Sequence, residues 1–497
     1  MMIQLSGSLE SSAHRTPNKI ALSCGDVRMS YRDLDESTTA LAKWFLAQGL
    51  QPGDRVAVHW TNSIPAVQLL YGLFRAGLIA VTINTRLKPA EIAFILKHSE
   101  ARICLSEPSV SPLADEANAG CPILTQLPAV ERVESREAAL PSVSPDQPAI
   151  IIYTSGTTAL PKGVVHTHRS LYQTAVIGTR AIEGLNSPEE VVLCVLPLMH
   201  FGALAMLLGC IYAGCSVALL PRFEPGAVLD AIEKFRCNSL ACMPALWHFI
   251  LEEQLRNPRS VSSLRRAWGA GDAVSVTLQN RFKTAFGIPL QEAYGMTESA
   301  PLTANPKDLI RSGSLGLPVD GVELRIMDLA GHDVPEGETG EILARSPGNC
   351  VGYWKDPAAT RTALDEDGWL HTGDLASRDA DGYYWFRGRK KEIVIRAGSN
   401  ISPQEVEEAL YRHPAVLEVG VVGQPDSIYG EIVVAFVVLR DGLKPDPDEL
   451  RQFVQKHLAD YKVPERFVFV TELPKSPTGK VHRGELKRRM LPAAAAT

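Results

Sequence analysis

The sequence has no Cys-x-x-Cys pair, no basic block and no signal-like start, and each absence removes a class of function. Nine cysteines are scattered over 497 residues. A chain of this length buries a sizeable core without staples, so no disulfide framework is expected. No His/Cys cluster has the spacing of a zinc site. The closest cysteines, Cys210 with Cys215 and Cys237 with Cys242, sit among mostly apolar neighbours. They read as small core residues in a reducing compartment. The net charge is −6, from 50 basic and 56 acidic residues. The short Lys487–Arg489 cluster is too small for a nucleic-acid stripe, so no nucleic-acid partner is expected. Met1 to Glu10 lacks a basic stretch followed by an apolar one, so no signal peptide is read there and the cytoplasm is the expected location.

One segment raises the membrane question. Val191 to Leu220 carries no Lys, Arg, Asp or Glu, as a membrane span would. Pro197, His200, Gly202, Gly209 and Gly214 interrupt it. It therefore predicts a buried strand, a loop, a short buried helix and a second strand, not a transmembrane segment.

What is present is alternation. Ser30-Tyr31-Arg32-Asp33 fits a capping box, and Leu34, Thr38, Leu41 and Phe45 follow at helical spacing on one face. Val56–His59, Ile79–Ile83, Ile103–Leu105, Ile150–Tyr153, Val191–Leu196, Val217–Leu220 and Leu240–Met243 are short apolar runs between longer helix-like stretches. This pattern predicts an α/β fold with parallel sheets covered by helices. After about Gly316, Val322–Met327, Gly340–Ala344 and Tyr383–Arg387 predict a small β subdomain, a barrel or an antiparallel sheet. From Gly388 the pattern restarts. Gln404–Tyr411 and Pro447–Leu458 read as helices, and Val416–Val422 and Ile432–Leu439 as strands. The expectation is a large domain over 1–390 and a small α+β domain over 391–497. Arg387-Gly388-Arg389-Lys390-Lys391 is the candidate hinge. Pro128–Pro148 reads as a surface connection, and Ala493–Ala496 as a frayed tail.

The strongest local signal is Tyr153-Thr154-Ser155-Gly156-Thr157-Thr158-Ala159-Leu160-Pro161-Lys162-Gly163. An apolar strand runs into four hydroxyls, two glycines and a lysine. Hydroxyls and freed main-chain N–H groups donate to phosphate oxygens, Gly permits close approach, and Lys adds compact charge. The order is not that of a Walker loop. On residue types alone an ordinary Ser/Thr-rich turn stays open.

Further along stand Tyr294-Gly295-Met296-Thr297-Glu298, Trp369-Leu370-His371-Thr372-Gly373-Asp374, Gly388-Arg389-Lys390-Lys391-Glu392 and Pro474-Lys475-Ser476-Pro477-Thr478-Gly479-Lys480. Together with the Thr154–Lys162 run, in this order, they resemble the signature of the adenylate-forming superfamily, in its acyl- and aryl-CoA synthetase branch. Ala159 departs from it, standing where that family usually has Gly.

The resemblance implies a reaction in two steps. A carboxylic acid and ATP give acyl-AMP and pyrophosphate, and coenzyme A then takes the acyl group. It implies nucleotide contacts from Thr154, Ser155, Gly156, Thr157, Thr158, Lys162, Tyr294, Asp374 and Arg389. Thr297 would touch the α-phosphate, and Glu298 would hold Mg²⁺. A carboxylate beside phosphates fits that ion, although Thr297 and Glu298 alone also fit a helix start. Asp374 would accept the ribose hydroxyls, where a turn-capping Asp is the plain alternative. Arg389 would reach the same region, where a surface Arg is the alternative. Lys480 would be the catalytic lysine, offsetting negative charge as the bond to the α-phosphorus forms. His200 would sit between the carboxylate and the coenzyme A channel, although a lone His on an apolar background is more often a core residue.

Phe201, Gly271 and Gly295 belong to the expected acyl site. Ala397 and Gly398 belong to the coenzyme A channel, and Lys391 is the implied hinge of a rotating small domain. His166 and His168 read as helix-entry surface residues, not metal ligands.

Two other functions stay open. One is an adenylation enzyme loading a carrier-protein thiol. The other is a non-catalytic nucleotide-binding protein, which would have no use for Glu298 and Lys480. The pocket candidates His200–Gly202, Met243–Trp247, Trp268–Gly271 and Gly295–Ala300 are mostly apolar or small. They favour a fatty or aryl acid, while Arg265 and Arg266 keep a dicarboxylic acid open. A homodimer is also left open.

Overall fold

The computed structural model describes residues 5–117, 119–127, 139–154, 161–181, 187–328, 330–397, 399–440, 442–475 and 481–490. Two mainly parallel sheets form its large part. The first has nine strands. Its parallel centre runs Leu290–Met296, Arg266–Ala270, Ser239–Cys242, Val191–Cys194, Ser216–Leu219, Ile20–Cys24. Antiparallel strands close both edges. The second sheet has seven strands, in the order Gly352–Tyr353, Lys162–Thr167, Pro148–Thr154, Ile79–Thr82, Arg55–His59, Ile103–Ser106, Ile123–Leu124. Only Lys162–Thr167 runs against the rest, antiparallel to both its neighbours, Gly352–Tyr353 and Pro148–Thr154.

The largest core cluster draws on both sheets. Val56, Val58, Ala80, Ile150 and Ile152 come from one sheet, and Val192, Cys194, Val217 and Leu219 from the other. Between them pack Tyr31–Ala47, Ile64–Arg75, His168–Ala181 and Phe201–Ala213. The first of these helices starts where the sequence places it. Ser30 Oγ accepts from Asp33 N, and the Asp33 carboxylate reaches back. Leu34, Thr38, Leu41 and Phe45 all face inward.

Val191 to Leu220 folds as strand, loop, helix and strand. The helix Phe201–Ala213 ends at Gly214, whose φ of 81° is the left-handed stop that glycine accepts without strain. Among the described residues no helix is long and apolar enough to cross a membrane. The cysteines are free, and seven of the nine are buried.

The β subdomain is a four-stranded antiparallel sheet of Glu323–Met327, Gly340–Arg345, Leu370–Arg378 and Tyr384–Arg389. The third strand escapes the sequence pattern because Thr372-Gly373-Asp374 breaks its apolar alternation. The small C-terminal domain pairs Val416–Asp426 with Gly430–Leu439, covered by Pro403–Tyr411 and Pro447–Gln455. Arg440 lies 3.8 Å from Glu252 of the large domain, and the Lys475 ammonium lies 5.4 Å from the Phe249 ring.

Candidate active site

The strands Pro148–Thr154 and Lys162–Thr167 form a hairpin whose last pair is Thr154 and Lys162. Ser155, Gly156, Thr157 and Thr158 lie between them, outside the described residues. The hairpin is braced below this pair. Tyr153 faces Gly163 across the ladder, and the Tyr153 hydroxyl meets His98 Nδ1 at 2.8 Å. Gly163 is required here: a Cβ would stand 2.8 Å from Ile151 Cγ2 and 3.3 Å from Trp354 Cβ. A 610 Å³ cavity opens beside it, lined by Phe94, His98, Lys162, Tyr353 and Trp354 among others.

From Lys162 a line of contacts leads to the buried carboxylate. The Lys162 ammonium stands 5.1 Å from the centre of the Tyr353 ring. The Tyr353 hydroxyl donates to Glu298 Oε1 at 2.7 Å. Glu298 is only 8% exposed, and burial pushes its carboxyl above the ordinary range. Thr297 and Glu298 do not begin a helix. They form the turn between the strands Leu290–Met296 and Ser299–Ala304. Gly295 lets that turn close, since a Cβ there would meet Ala300 Cβ at 2.7 Å. Tyr353 escapes sequence reasoning because its strand is two residues long.

Tyr294 and Asp374 meet although eighty positions separate them. The Tyr294 hydroxyl donates to Asp374 Oδ2 at 2.8 Å, and Arg389 Nε stands 3.1 Å from Oδ1. Burial, with Asp374 alongside, pushes the Tyr294 phenol well up, so it stays a donor. Asp374 is buried while Arg389 is half-exposed, so the pair is anchored on one side and open on the other.

His200 precedes the helix Phe201–Ala213, and its Nε2 lies 2.7 Å from Asn84 Nδ2. Asn84 Oδ1 accepts from Arg86 N, which turns the amide nitrogen toward His200. His200 Nε2 is therefore an acceptor here. Phe201 is buried, its ring stacked on His166 at 4.4 Å and 11°.

His166 and His168 are not surface residues. Both are buried, and burial pushes both imidazoles down to about 4. The expectation failed because Lys162–Thr167 is a strand, which turns His166 into the core. Sequence reasoning thus missed a contact: His166 Nε2 meets the Thr297 main-chain oxygen at 2.8 Å.

Arg265 and Arg266 do not approach the site. Both pair with buried Glu190, at 3.4 and 3.3 Å, at the amino end of Arg266–Ala270. Gly271 follows the carboxyl end of that strand with φ 87°.

Lys391 is exposed. Ala397 holds a left-handed φ of 49°, and its N–H donates to Tyr429 O at 2.7 Å. Gly398 and Lys480 lie outside the described residues. Lys475 and Val481, on either side of the Lys480 loop, pair in an isolated bridge. Among the described residues no three His, Cys, Asp or Glu side chains gather as a metal site. Glu298 offers a single buried carboxylate, which suits an ion that completes its shell with phosphate and water oxygens.

Residues 9–354 match the family profile of the AMP-binding enzyme, and residues 405–480 match that of the AMP-binding enzyme C-terminal domain. The chain is 36% identical to a sulfoacetate–CoA ligase of Cupriavidus necator, over 92% of each chain. It is 34% identical to a feruloyl-CoA synthase of an Amycolatopsis species, over 96% of this chain and 97% of that one. A crystal structure of ATP-bound MatB from Rhodopseudomonas palustris superposes with a TM-score of 0.91 at 28% identity, covering 98% of this chain and 99% of that one. The order of motifs, the two-part fold and these likenesses agree: the chain belongs to the family of AMP-binding enzymes, the adenylate-forming superfamily.

Proposed function

We infer that the chain is an ATP-dependent acyl-CoA ligase. It joins a carboxylic acid to AMP with release of pyrophosphate, then passes the acyl group to coenzyme A. The observation that carries this reading is the line from Lys162 through Tyr353 to Glu298. It joins the phosphate hairpin to a buried carboxylate, and a carboxylate beside a triphosphate is repulsive unless a cation lies between them. The CoA ligases among its relatives support coenzyme A as acceptor.

The roles follow from chemistry. Thr154 to Lys162 holds the phosphates, and Thr297 donates to the α-phosphate. Glu298 is the residue that would hold Mg²⁺, which supplies charge neutralisation on the phosphate oxygens when bound. Asp374, freed from part of its pairing, accepts the ribose hydroxyls, with Arg389 beside it and the Tyr294 ring against adenine. The acid enters beside His200, Gly271 and Gly295. Its carboxylate attacks the α-phosphorus in line, and the Lys480 ammonium offsets the growing charge. In the second step the coenzyme A thiol attacks the acyl carbon, and AMP leaves with the bonding electrons.

The domain boundary falls between residues 390 and 391. Rotation about Lys391 withdraws Lys480 and brings Ala397 and Gly398 to the pantetheine chain. The test separates the half-reactions. Lys480→Ala is expected to abolish acid-dependent ATP–pyrophosphate exchange while retaining thioester formation from supplied acyl-AMP. Equal loss in both steps would refute this division of labour.

A further inference from the structure

The small domain rests on a pair of helices of the large domain. The helices Pro244–Arg256 and Val276–Phe286 begin just past the carboxyl ends of the strands Ser239–Cys242 and Arg266–Ala270. Gly271 lies at that same end. Arg281 pairs with Glu252 at 2.7 Å and so joins the two helices. Phe249 and Glu252 stand three residues apart, on one face of the first helix. Each meets the small domain. The Lys475 ammonium lies 5.4 Å from the centre of the Phe249 ring, and Arg440 Nη1 lies 3.8 Å from Glu252 Oε1. A third contact stands at the start of the second helix, where the Glu408 carboxylate faces the Val276 N–H.

The Phe249 contact bears directly on the main chain beside Lys480. Lys475 pairs with Val481 in an isolated bridge, and Val481 directly follows Lys480 in sequence. Bridged residues lie about 5 Å apart, so whatever fixes Lys475 fixes the chain next to Lys480. Within its own domain Lys475 is held by Glu418 at 2.7 Å, and Phe249 supplies the large domain's side of the contact. The core of that helix does not need the ring. Phe249 is 40% exposed, while Trp247, Ile250 and Leu251 are buried. An ammonium beside an aromatic ring is drawn to it by the ring's quadrupole, weakly at an exposed site. A weak contact suits two bodies that must part in every turnover.

We propose that Phe249 and Lys475 are positioning residues for acyl-AMP formation. Their contact holds the small domain in the pose that presents Lys480 to the α-phosphorus, and it parts before the coenzyme A thiol attacks. The inference rests on the two-step reading above. Neither residue touches the reacting atoms, so the contact sets how often the first-step pose is occupied, not how tightly ATP or the acid binds. A contact that served folding alone would be indifferent to the half-reaction measured.

The experiment measures both half-reactions on the full chain: acid-dependent ATP–pyrophosphate exchange, and thioester formation from supplied acyl-AMP and coenzyme A. Phe249→Leu keeps apolar bulk and removes the ring, whereas Phe249→Tyr keeps the ring. The expected result for Phe249→Leu is a loss of about two- to fivefold in exchange kcat, the size of an exposed cation–π contact. KM for ATP and for the acid should stay unchanged. Thioester formation should not slow, and Phe249→Tyr should restore exchange. Adding Phe249→Leu to Lys475→Met should cost nothing further, because the contact is already gone. Wild-type exchange in Phe249→Leu, equal loss in both half-reactions, or a full second loss in the double variant would overturn the proposal. A wild type that exchanges with no acid in a broad panel would instead remove the acid-activating reading itself, and this inference with it.

Discussion

The Nε2–H of His166 donates to the main-chain oxygen of Thr297 at 2.8 Å while the ring lies flat on Phe201. One imidazole so ties the strand leaving the phosphate hairpin to the turn bearing Glu298 and to the helix after His200. Burial keeps it neutral. The oxygen of Thr297 can only accept, which fixes the proton on Nε2 and leaves Nδ1 to Ser170 Oγ, 3.1 Å away. His166→Leu keeps the bulk and removes the donor. Loss of a buried hydrogen bond of this kind costs about 1–3 kcal/mol. The expected outcome is a fall of about tenfold or more in kcat/KM for ATP, with partial recovery in His166→Gln. Exchange kinetics set beside thermal unfolding test it, because mere packing damage would lower Tm without recovery in the Gln variant.

Tyr353→Phe isolates the contact to Glu298. The hydroxyl donates to that carboxylate at 2.7 Å, and its loss leaves a buried charge less solvated. A hydrogen bond to a charged group contributes about 1.5–3 kcal/mol. The magnesium concentration giving half-maximal exchange should rise about tenfold, while the ranking of acids stays as in the wild type. A shifted acid ranking would place Tyr353 in the acyl site instead.

The sequence made the fold readable wherever periodicity was clean. Seven apolar runs became strands of the two parallel sheets, and the Ser30–Asp33 box begins a helix as read. It failed where chemistry interrupts the pattern. Leu370–Arg378 is a strand interrupted by Thr372-Gly373-Asp374, and the Thr297–Glu298 turn looks locally like a helix start. The motifs themselves stand out in the sequence, but the contacts between their residues do not. Tyr294 with Asp374, and Tyr353 with Glu298, meet across eighty and 55 positions. Contacts of that range leave no periodic trace in one sequence. Arg265 and Arg266 mislead for the same reason, since Glu190, their partner, sits on a different strand connection.

Gly163→Ala tests the base of the phosphate hairpin. The added methyl meets Ile151, Tyr153 and Trp354 at 2.8, 3.2 and 3.3 Å, with no flexible chain end to move aside. Overpacking of this sort costs about 1–3 kcal/mol. Tm should drop by several degrees, and KM for ATP should rise because Lys162 is the adjacent residue. An unchanged Tm would mean that the hairpin relaxes freely.

Arg266→Ala separates stability from specificity. Glu190 is buried, and Arg265 and Arg266 both reach its Oε1. Removing one leaves a buried carboxylate with a single, longer pairing to a mostly exposed Arg265. Half-lost pairing of this kind destabilises by about 1–3 kcal/mol. Chemical denaturation should show that loss. The kcat/KM ratio between mono- and dicarboxylic acids should not move, because neither arginine faces the site. A lowered dicarboxylate rate would bring them back to it.

Acid should weaken the fold through its buried histidines. His59, His166 and His168 are all pushed down to about 4 by burial, while an unfolded imidazole titrates near 6.5. Between those values the unfolded chain holds more protons than the folded one. Their contribution is therefore full above about pH 6.5 and is lost as the pH falls toward 4, at about 1.4 kcal/mol per pH unit for each histidine. Glu292 and Glu407 act in the opposite direction, since burial pushes their carboxyls up and the folded chain then holds the extra protons. The net slope mixes both sets, so a difference between proteins is the cleaner quantity. His59→Leu removes one imidazole whose Nδ1 meets Ser106 Oγ at 3.0 Å. Urea unfolding at a series of pH values between 6.5 and 4 should show the wild type losing stability more steeply than the variant, by about one proton's worth. Parallel slopes would mean that His59 takes up its proton in the folded chain as readily as in the unfolded one.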